Sequence, residues 1–261
     1  MKKHEKHLQK QALRGGEANI MALVNYLLEV EDYEQAIHWL KSGVTQGYAE
    51  AMYVLGNCYY AEIGVDEDID KAFKLYEMAA QQNHRDAINN IADMYLNGES
   101  VEVDERKALL LFKQAAELGV CEAMFTLGMM YEQGMGVEVD FTQAFQYYEQ
   151  SALAGDSEAQ NRVATIYFEG LLGKDRNIQQ AIDWYKRAAN QGHVDAQYSL
   201  GYIYHEGIGV VVNNREAIRY YELAAHNGDI DAAKQLVDIY TQLGRQESAV
   251  MWQLEIEHWF D

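Results

Sequence analysis

The chain has 261 residues, 49% of them hydrophobic and 24% charged, and it contains no proline. This composition is that of a globular protein rich in uninterrupted helix, and no apolar run is long enough to span a membrane. The 21 basic and 41 acidic residues give a formal charge of −20. Such a surface repels the phosphate backbone of nucleic acids and attracts basic partners, so we expect protein binding rather than nucleic-acid binding.

The first residues of the chain differ in charge from the rest. Up to Arg14 there are five basic residues and one acid, Glu5, so the remaining 16 basic and 40 acidic residues carry a charge of −24. No apolar segment follows this basic stretch, which therefore lacks the pattern of a secretory signal. The two cysteines, Cys58 and Cys121, are too few for a secreted chain that depends on disulfides. We expect a cytoplasmic protein.

The first predicted element is a helix within residues 1–16. Its segment Leu8–Leu13 (LQKQAL) is similar to Leu111–Ala116 (LFKQAA), which belongs to the second helix of a later repeat. We expect it to cap the first repeat, because a stack of repeats needs its open end covered. That first repeat begins near residue 17 and has a shortened turn. It places Ala18, Ala22 and Tyr26 at the pattern positions of its first helix, and Ala36 and Trp39 in its second.

Full repeats follow, beginning near residues 50, 86, 122, 158, 195 and 231. Each opens with an alanine, has an aliphatic residue four positions later, and has a tyrosine four positions after that. This spacing marks one face of a helix, which we name helix A. The alanines are Ala51, Ala87, Ala123, Ala159, Ala196 and Ala232, and the tyrosines are Tyr59, Tyr95, Tyr131, Tyr167, Tyr204 and Tyr240.

A glycine-containing turn, as in Gly134–Val137, leads from helix A to a second helix, B. Helix B carries small residues at both ends and an aromatic pair in the middle, and it stops at a glycine such as Gly155, the usual residue past a helix end. The last unit ends in Glu247–Trp259, which is predicted to be a final B helix.

Two copies of helix A, Ala123–Tyr131 (AMFTLGMMY) and Ala196–Tyr204 (AQYSLGYIY), resemble the Sel-one-like repeat (SLR), a relative of the tetratricopeptide repeat. The resemblance covers nearly the whole chain. It implies an all-α fold, a right-handed α/α superhelical solenoid of about seven helix-turn-helix repeats, with residues 17–261 as one domain and the A helices lining a concave face. It also implies an adaptor or scaffold role without indicating a particular partner.

No pattern in the sequence indicates catalysis. The glycine turns follow helices rather than strands, so they are not phosphate-binding loops. The eight histidines and two cysteines are dispersed, with no HxxxH or CxxC pair that would suggest a metal site. Some cysteine-rich, secreted SLR relatives are credited with binding β-lactams, but their paired cysteines are missing here. We therefore predict a protein that is not an enzyme and that has no metal or cofactor.

An acidic residue precedes every opening alanine. This position is the first turn of helix A, where the helix dipole and free backbone N–H groups stabilise a negative charge. We favour this structural interpretation over a binding site. The acidic column comprises Glu17, Glu50, Asp86, Glu122, Glu158, Asp195 and Asp231.

The best candidates for partner binding are positions of helix A that the repeat does not require. In SLR proteins the residue two before the aliphatic position, the residue after the following small residue, and the two residues after the tyrosine face the concave groove. We name the candidates at these positions the predicted contact residues: Tyr53, Asn57, Tyr60, Asn89, Asp93, Phe125, Met129, Glu132, Asn161, Thr165, Phe168, Glu169, Tyr198, Tyr202, His205, Glu206 and Asp238. Exposed aromatics among carboxylates suit a basic, partly apolar protein. The alternative is that the aromatics pack between neighbouring helices.

These observations predict a non-catalytic, protein-binding solenoid with an acidic groove. One specific hypothesis is an immunity protein, the inhibitor of a basic toxin such as a cytosolic nuclease, because an acidic surface could fill a cleft built for nucleic acid. A regulatory or assembly scaffold in a bacterial cytoplasm is the main alternative. An enzyme is the third and least supported.

Overall fold

The computed structural model describes residues 2–259, without the side chains of Lys2 and Lys3. Met1, Phe260 and Asp261, which the predicted domain boundaries include, lie outside the described residues. Over the described range the chain forms fifteen α-helices and no strand, which confirms the predicted all-α solenoid fold. None of these helices is long and apolar enough to cross a membrane.

The helices are α1 (Lys2–Ala12), α2 (Glu17–Glu29), α3 (Tyr33–Thr45), α4 (Ala49–Tyr60), α5 (Ile69–Ala80), α6 (Arg85–Asn97), α7 (Glu105–Glu117), α8 (Cys121–Gln133), α9 (Phe141–Ala154), α10 (Ser157–Glu169), α11 (Ile178–Asn190), α12 (Val194–Glu206), α13 (Asn214–His226), α14 (Ile230–Gln242) and α15 (Gln246–His258). Even-numbered helices are the A helices, and odd-numbered helices from α3 onward are the B helices. The chain divides into two compact units, Met1–Val139 and Asp140–Asp261.

In each unit, successive helices pack on one another in chain order. In the first unit α1 packs on α2, and α4 and α6 pack on their B helices α5 and α7. In the second unit α10, α12 and α14 pack on α11, α13 and α15. The opening alanines of the full repeats are completely buried, because only a small side chain permits the close approach of two helices.

A recurring pair of hydrogen bonds sets the connections from α4 to α5, α6 to α7, α10 to α11 and α12 to α13. The side chain of Asp68 caps α5 by accepting the backbone N–H of Lys71 at 2.9 Å, and its own backbone N–H donates to the carbonyl oxygen of Tyr59 at 3.0 Å. Asn213 does the same in the second unit, with its N–H donating to Tyr204 at 2.9 Å. An acidic or amide N-cap satisfies a free N–H of the first turn. The tyrosine column therefore fixes the turn with its backbone as well as packing with its ring.

The first repeat departs from the prediction. Ala18 and Ala22 are exposed, and the face of α2 that enters the core is formed by Ile20, Leu23 and Val24 instead. The helix is rotated relative to the predicted alignment because burying larger aliphatic side chains removes more apolar surface from water than burying alanines. Val24, at the repeat position of Asn57 in the predicted alignment, is consequently a core residue.

Candidate protein-binding surface on the A helices

The predicted contact residues lie on α4, α6, α8, α10, α12 and α14, and none of them is buried. Two aromatics, Tyr60 and Tyr202, are 41% and 42% exposed. Three carboxylates, Glu169, Glu206 and Asp238, are also exposed, whereas the other residues of the set are half-buried. These positions can therefore be reached from solvent to differing degrees.

Several half-buried aromatics of the set pack within the fold. The ring of Tyr53 stacks on His84, with 4.5 Å between centroids, and lies 6.1 Å from the ring of Tyr76. In the second unit Tyr198 and His205 both contact the edge or face of Tyr221, at 5.5 and 6.4 Å. The packing alternative thus describes these residues, whereas Tyr60 and Tyr202 are exposed to solvent.

Phe168 also packs within the second unit. Its ring lies 6.4 Å from the ring of Tyr185, and the guanidinium of Arg176 lies 5.6 Å above it. Arg176 additionally donates a hydrogen bond from Nε to the carbonyl oxygen of Phe168 at 2.9 Å. A basic residue therefore adjoins the predicted contact residues at this point, so the local charge is mixed here.

In the first unit a pocket of about 420 Å³ opens between α4 and α6. Asn57, Tyr60 and Asp93, all predicted contact residues, contribute to its wall. Tyr76 of helix α5 donates its hydroxyl to Oδ1 of Asn57 at 2.8 Å, and Nδ2 of Asn90 approaches the same oxygen at 3.4 Å. This brings residues from three helices into one cavity.

Among the described residues, the acids of this pocket have no basic partner. Asp93 accepts a hydrogen bond at Oδ2 from Asn89 at 3.0 Å, and Glu99 accepts one from the hydroxyl of Tyr60 at 2.9 Å. The pKa of Asp93 is raised to about 6, mainly by burial and also by the negative charge of Glu99, while the hydrogen bond from Asn89 opposes both effects. Neither carboxylate forms an ion pair in the part of the chain that the structure describes.

In the first two repeats of the second unit the corresponding position is uncharged. Thr165, at the repeat position of Asn57, lies with its hydroxyl 3.1 Å from that of Tyr185. One repeat later the position is occupied by the exposed Tyr202, and the buried hydroxyl of Tyr221 has no hydrogen-bond partner among the described residues. Burial raises the pKa of Tyr221 strongly. The same repeat position therefore holds a bonded polar residue in some repeats and not in others.

The acidic column connects neighbouring repeats. Oε1 of Glu17 accepts the backbone N–H of Glu50 at 3.0 Å, so the acid of one repeat caps the first turn of the next helix A. Oε2 of Glu50 and Oε2 of Glu158 lie 3.0 and 2.9 Å from Nε2 of His84 and His193. These contacts support the structural interpretation of the column and add an inter-repeat contact to it.

Within the described residues no three His, Cys, Asp or Glu side chains are grouped as metal ligands. Cys58 is buried, and its burial raises the pKa of the thiol to about 11. A thiol with such a pKa stays protonated near neutral pH and is a poor nucleophile.

Sequence reasoning missed part of the pocket. Asn90 lies on α6 outside the selected positions, Glu99 lies in the turn after α6, and Tyr76 lies on helix α5, where no contact residue is predicted. The turn after α6 reads Gly98-Glu99-Ser100-Val101, where two other repeats have Gly-Met-Gly-Val or Gly-Ile-Gly-Val. This departure from the turn pattern was the available signal for Glu99.

The Sel1 repeat matches six segments of the chain, residues 27–48, 49–84, 85–120, 121–156, 157–193 and 194–229. The chain therefore belongs to the Sel1 repeat family, as its motifs predicted. No curated protein gives a match.

Solved structures agree with this assignment. A Sel1 repeat protein from Oxalobacter formigenes is 30% identical over 90% of this chain and 98% of its own, with a TM-score of 0.81. The protective antigen c5321 of uropathogenic Escherichia coli, described as having an SLR fold, is 30% identical with a TM-score of 0.74. The alignment covers 96% of this chain and 55% of the antigen. The immunity protein PA5088 from Pseudomonas aeruginosa shares the fold at 22% identity, with a TM-score of 0.51 over 80% of each chain.

Proposed function

We propose that this protein is a non-catalytic binding protein that uses the exposed positions of its A helices to hold a basic protein partner. Membership of the Sel1 repeat family supports a role in protein–protein interaction. We infer that the partner is basic from the composition of the predicted contact residues. They include five carboxylates, Asp93, Glu132, Glu169, Glu206 and Asp238, whereas the same repeat positions hold a single lysine, Lys234, and no arginine.

The aromatic residues supply the apolar part of this surface. Tyr60 and Tyr202 present an apolar ring and a polar hydroxyl, which is the combination enriched at the energetic centres of protein interfaces. Both side chains are substantially exposed. A partner that covers them therefore removes the apolar surface of their rings from water, which favours binding. The carboxylates contribute mainly to the rate and selectivity of association.

Inhibition of a basic toxin is the specific form of this function that we propose. A nuclease carries a positive cleft for its substrate, and an acidic surface competes for that cleft. PA5088 is named an immunity protein, but at its level of identity it shares only the fold, so our hypothesis depends on the charge. The alternative is a regulatory or assembly scaffold. Binding of several partners with moderate affinity would indicate that role.

The experiment is capture of partners by the tagged full chain from lysate of its native organism, followed by mass spectrometry. A test variant combines Glu169→Gln, Glu206→Gln and Asp238→Asn on helices A. The matched control combines Glu77→Gln, Glu117→Gln and Glu255→Gln, which removes three exposed acids from helices B. We expect one basic protein to be captured by the wild type and the control but not by the test variant.

Equal capture by both variants would contradict the assignment of the surface. A captured protein that cleaves nucleic acid, and that the wild-type chain inhibits, supports the immunity hypothesis. Several partners from one pathway, bound without inhibition, would support the scaffold instead. Adding Tyr60→Ala and Tyr202→Ala separately tests the apolar contribution, and we expect each to weaken binding by about tenfold.

A further inference from the structure

The pocket between α4 and α6 differs from the rest of the acidic surface because it is a cavity rather than an open face. Its volume of about 420 Å³ lies within the range of ligand-binding sites, which is about 300–1,000 Å³. The amides of Asn57, Asn90 and Asn97 line it together with the carboxylates of Asp93 and Glu99. The two carboxylates of the wall therefore lie beside amide groups that can form hydrogen bonds to a ligand.

The hydrogen bonds of the wall leave acceptor atoms available. Asn90 directs its Nδ2 at Asn57, so its carbonyl oxygen is left to accept a further bond. Asp93 uses Oδ2 to accept from Asn89, and Glu99 uses Oε2 to accept from Tyr60. A carboxylate has two oxygens and about four acceptor sites, so both acids retain capacity for a donor.

The repeat explains why Asp93 receives no hydrogen bond from helix B, although it accepts one from Asn89. At the same repeat position, Asn57 accepts the hydroxyl of Tyr76 and Thr165 lies against the hydroxyl of Tyr185. The B-helix position that would serve Asp93 is occupied by Phe112, which has no hydroxyl. A half-buried carboxylate is thus placed where helix B supplies no hydrogen-bond donor, and burial together with the charge of Glu99 raises its pKa to about 6.

We propose that this pocket binds one guanidinium-bearing side chain, an arginine of the basic partner, between the carboxylates of Asp93 and Glu99. This inference rests on the proposed function, of which it specifies one contact. A guanidinium carries five donors in a planar fork, which suits a wall of two carboxylates and several amide oxygens. The exposed ring of Tyr60, held by its bond to Glu99, offers a face on which the guanidinium can lie.

The test does not need the partner. The full chain is titrated with N-acetyl-arginine amide by calorimetry at low ionic strength, and N-acetyl-citrulline amide serves as the neutral probe of nearly equal shape. We expect the arginine probe to bind at least tenfold more tightly than the citrulline probe. Lowering the pH to about 5 protonates most of Asp93 and is expected to weaken arginine binding by about tenfold.

Asp93→Asn and Glu99→Gln should each reduce affinity for the arginine probe by tenfold or more. Glu117→Gln, which neutralises an exposed helix-B carboxylate outside the pocket and outside the predicted contact residues, should leave it unchanged. Equal affinity for the two probes, or full arginine binding by Asp93→Asn, would overturn the proposal. If the arginine probe binds but no basic protein is captured from lysate, the pocket is retained and the proposed function fails. If a basic protein is captured equally by wild type and Asp93→Asn, the pocket assignment alone fails.

Discussion

Nε2 of His84 lies 3.0 Å from Oε2 of Glu50, while Nδ1 of the same ring accepts the backbone N–H of Ala87 at 3.2 Å. Because Nδ1 accepts, the proton is on Nε2 and is donated to the carboxylate. One imidazole therefore caps α6 and holds the first turn of α4. The second unit repeats the arrangement with His193, whose Nε2 lies 2.9 Å from Glu158.

The cap predicts how substitutions of His84 affect stability. His84→Ala removes the acceptor and is expected to lower the free energy of unfolding by about 1–2 kcal/mol. His84→Asn also removes the stacking on Tyr53 but keeps a capping oxygen, so it should lose clearly less. Urea unfolding followed by circular dichroism measures both. Equal losses in the two variants would show that the cap contributes nothing.

The buried tyrosines of helix B offer a matched pair. Tyr76→Phe removes the hydroxyl that bonds Asn57 at 2.8 Å and should cost about 1 kcal/mol. Tyr221→Phe removes a buried hydroxyl without a partner among the described residues and should be neutral or stabilising. Denaturant unfolding of both variants checks the difference, and a larger loss for Tyr221→Phe would contradict the hydrogen-bond assignment.

Gly56 faces the ring of Tyr76 so closely that a Cβ atom there would lie 2.6 Å from Cε1. Alanine is the better helix former by about 1 kcal/mol. Overpacking of a buried ring typically costs about 1–3 kcal/mol, so we expect Gly56→Ala to destabilise the chain on balance. Thermal unfolding is a sufficient measurement. A raised melting temperature would mean that the ring moves aside freely.

Asp93 should lower the stability of the fold at neutral pH. Its pKa is raised from 3.8 to about 6. Between pH 3.8 and about pH 6 the native chain therefore binds more protons than the unfolded chain. The free energy of unfolding consequently falls as the pH rises through this range. Asp93→Asn removes the effect. After allowance for solvent screening, we expect it to stabilise the chain by about 1–2 kcal/mol at pH 7 and by little at pH 4. Unfolding curves at the two pH values test this, and a destabilised variant at pH 7 would refute the raised pKa.

The periodic part of the architecture could be predicted from the sequence, since alanine, aliphatic and tyrosine columns at a fixed spacing define both helices of each repeat. The first repeat was misaligned because alanines at Ala18 and Ala22 imitate the pattern while the larger Ile20 and Leu23 take the core. The pocket could be predicted only in part. Asn57 and Asp93 follow the period, but Glu99 comes from an irregular turn, and the pKa of Asp93 depends on burial that no spacing reveals.

The most direct test of an acidic, partner-binding surface is the salt dependence of affinity for the captured partner. Calorimetry at about 50 and about 200 mM salt, with the wild type and the variant carrying Glu169→Gln, Glu206→Gln and Asp238→Asn, separates charge from apolar contact. We predict that the wild type binds at least tenfold more weakly at the higher salt and that the variant is weaker and less salt-sensitive. An affinity that changes with neither salt nor the three substitutions would contradict the central claim.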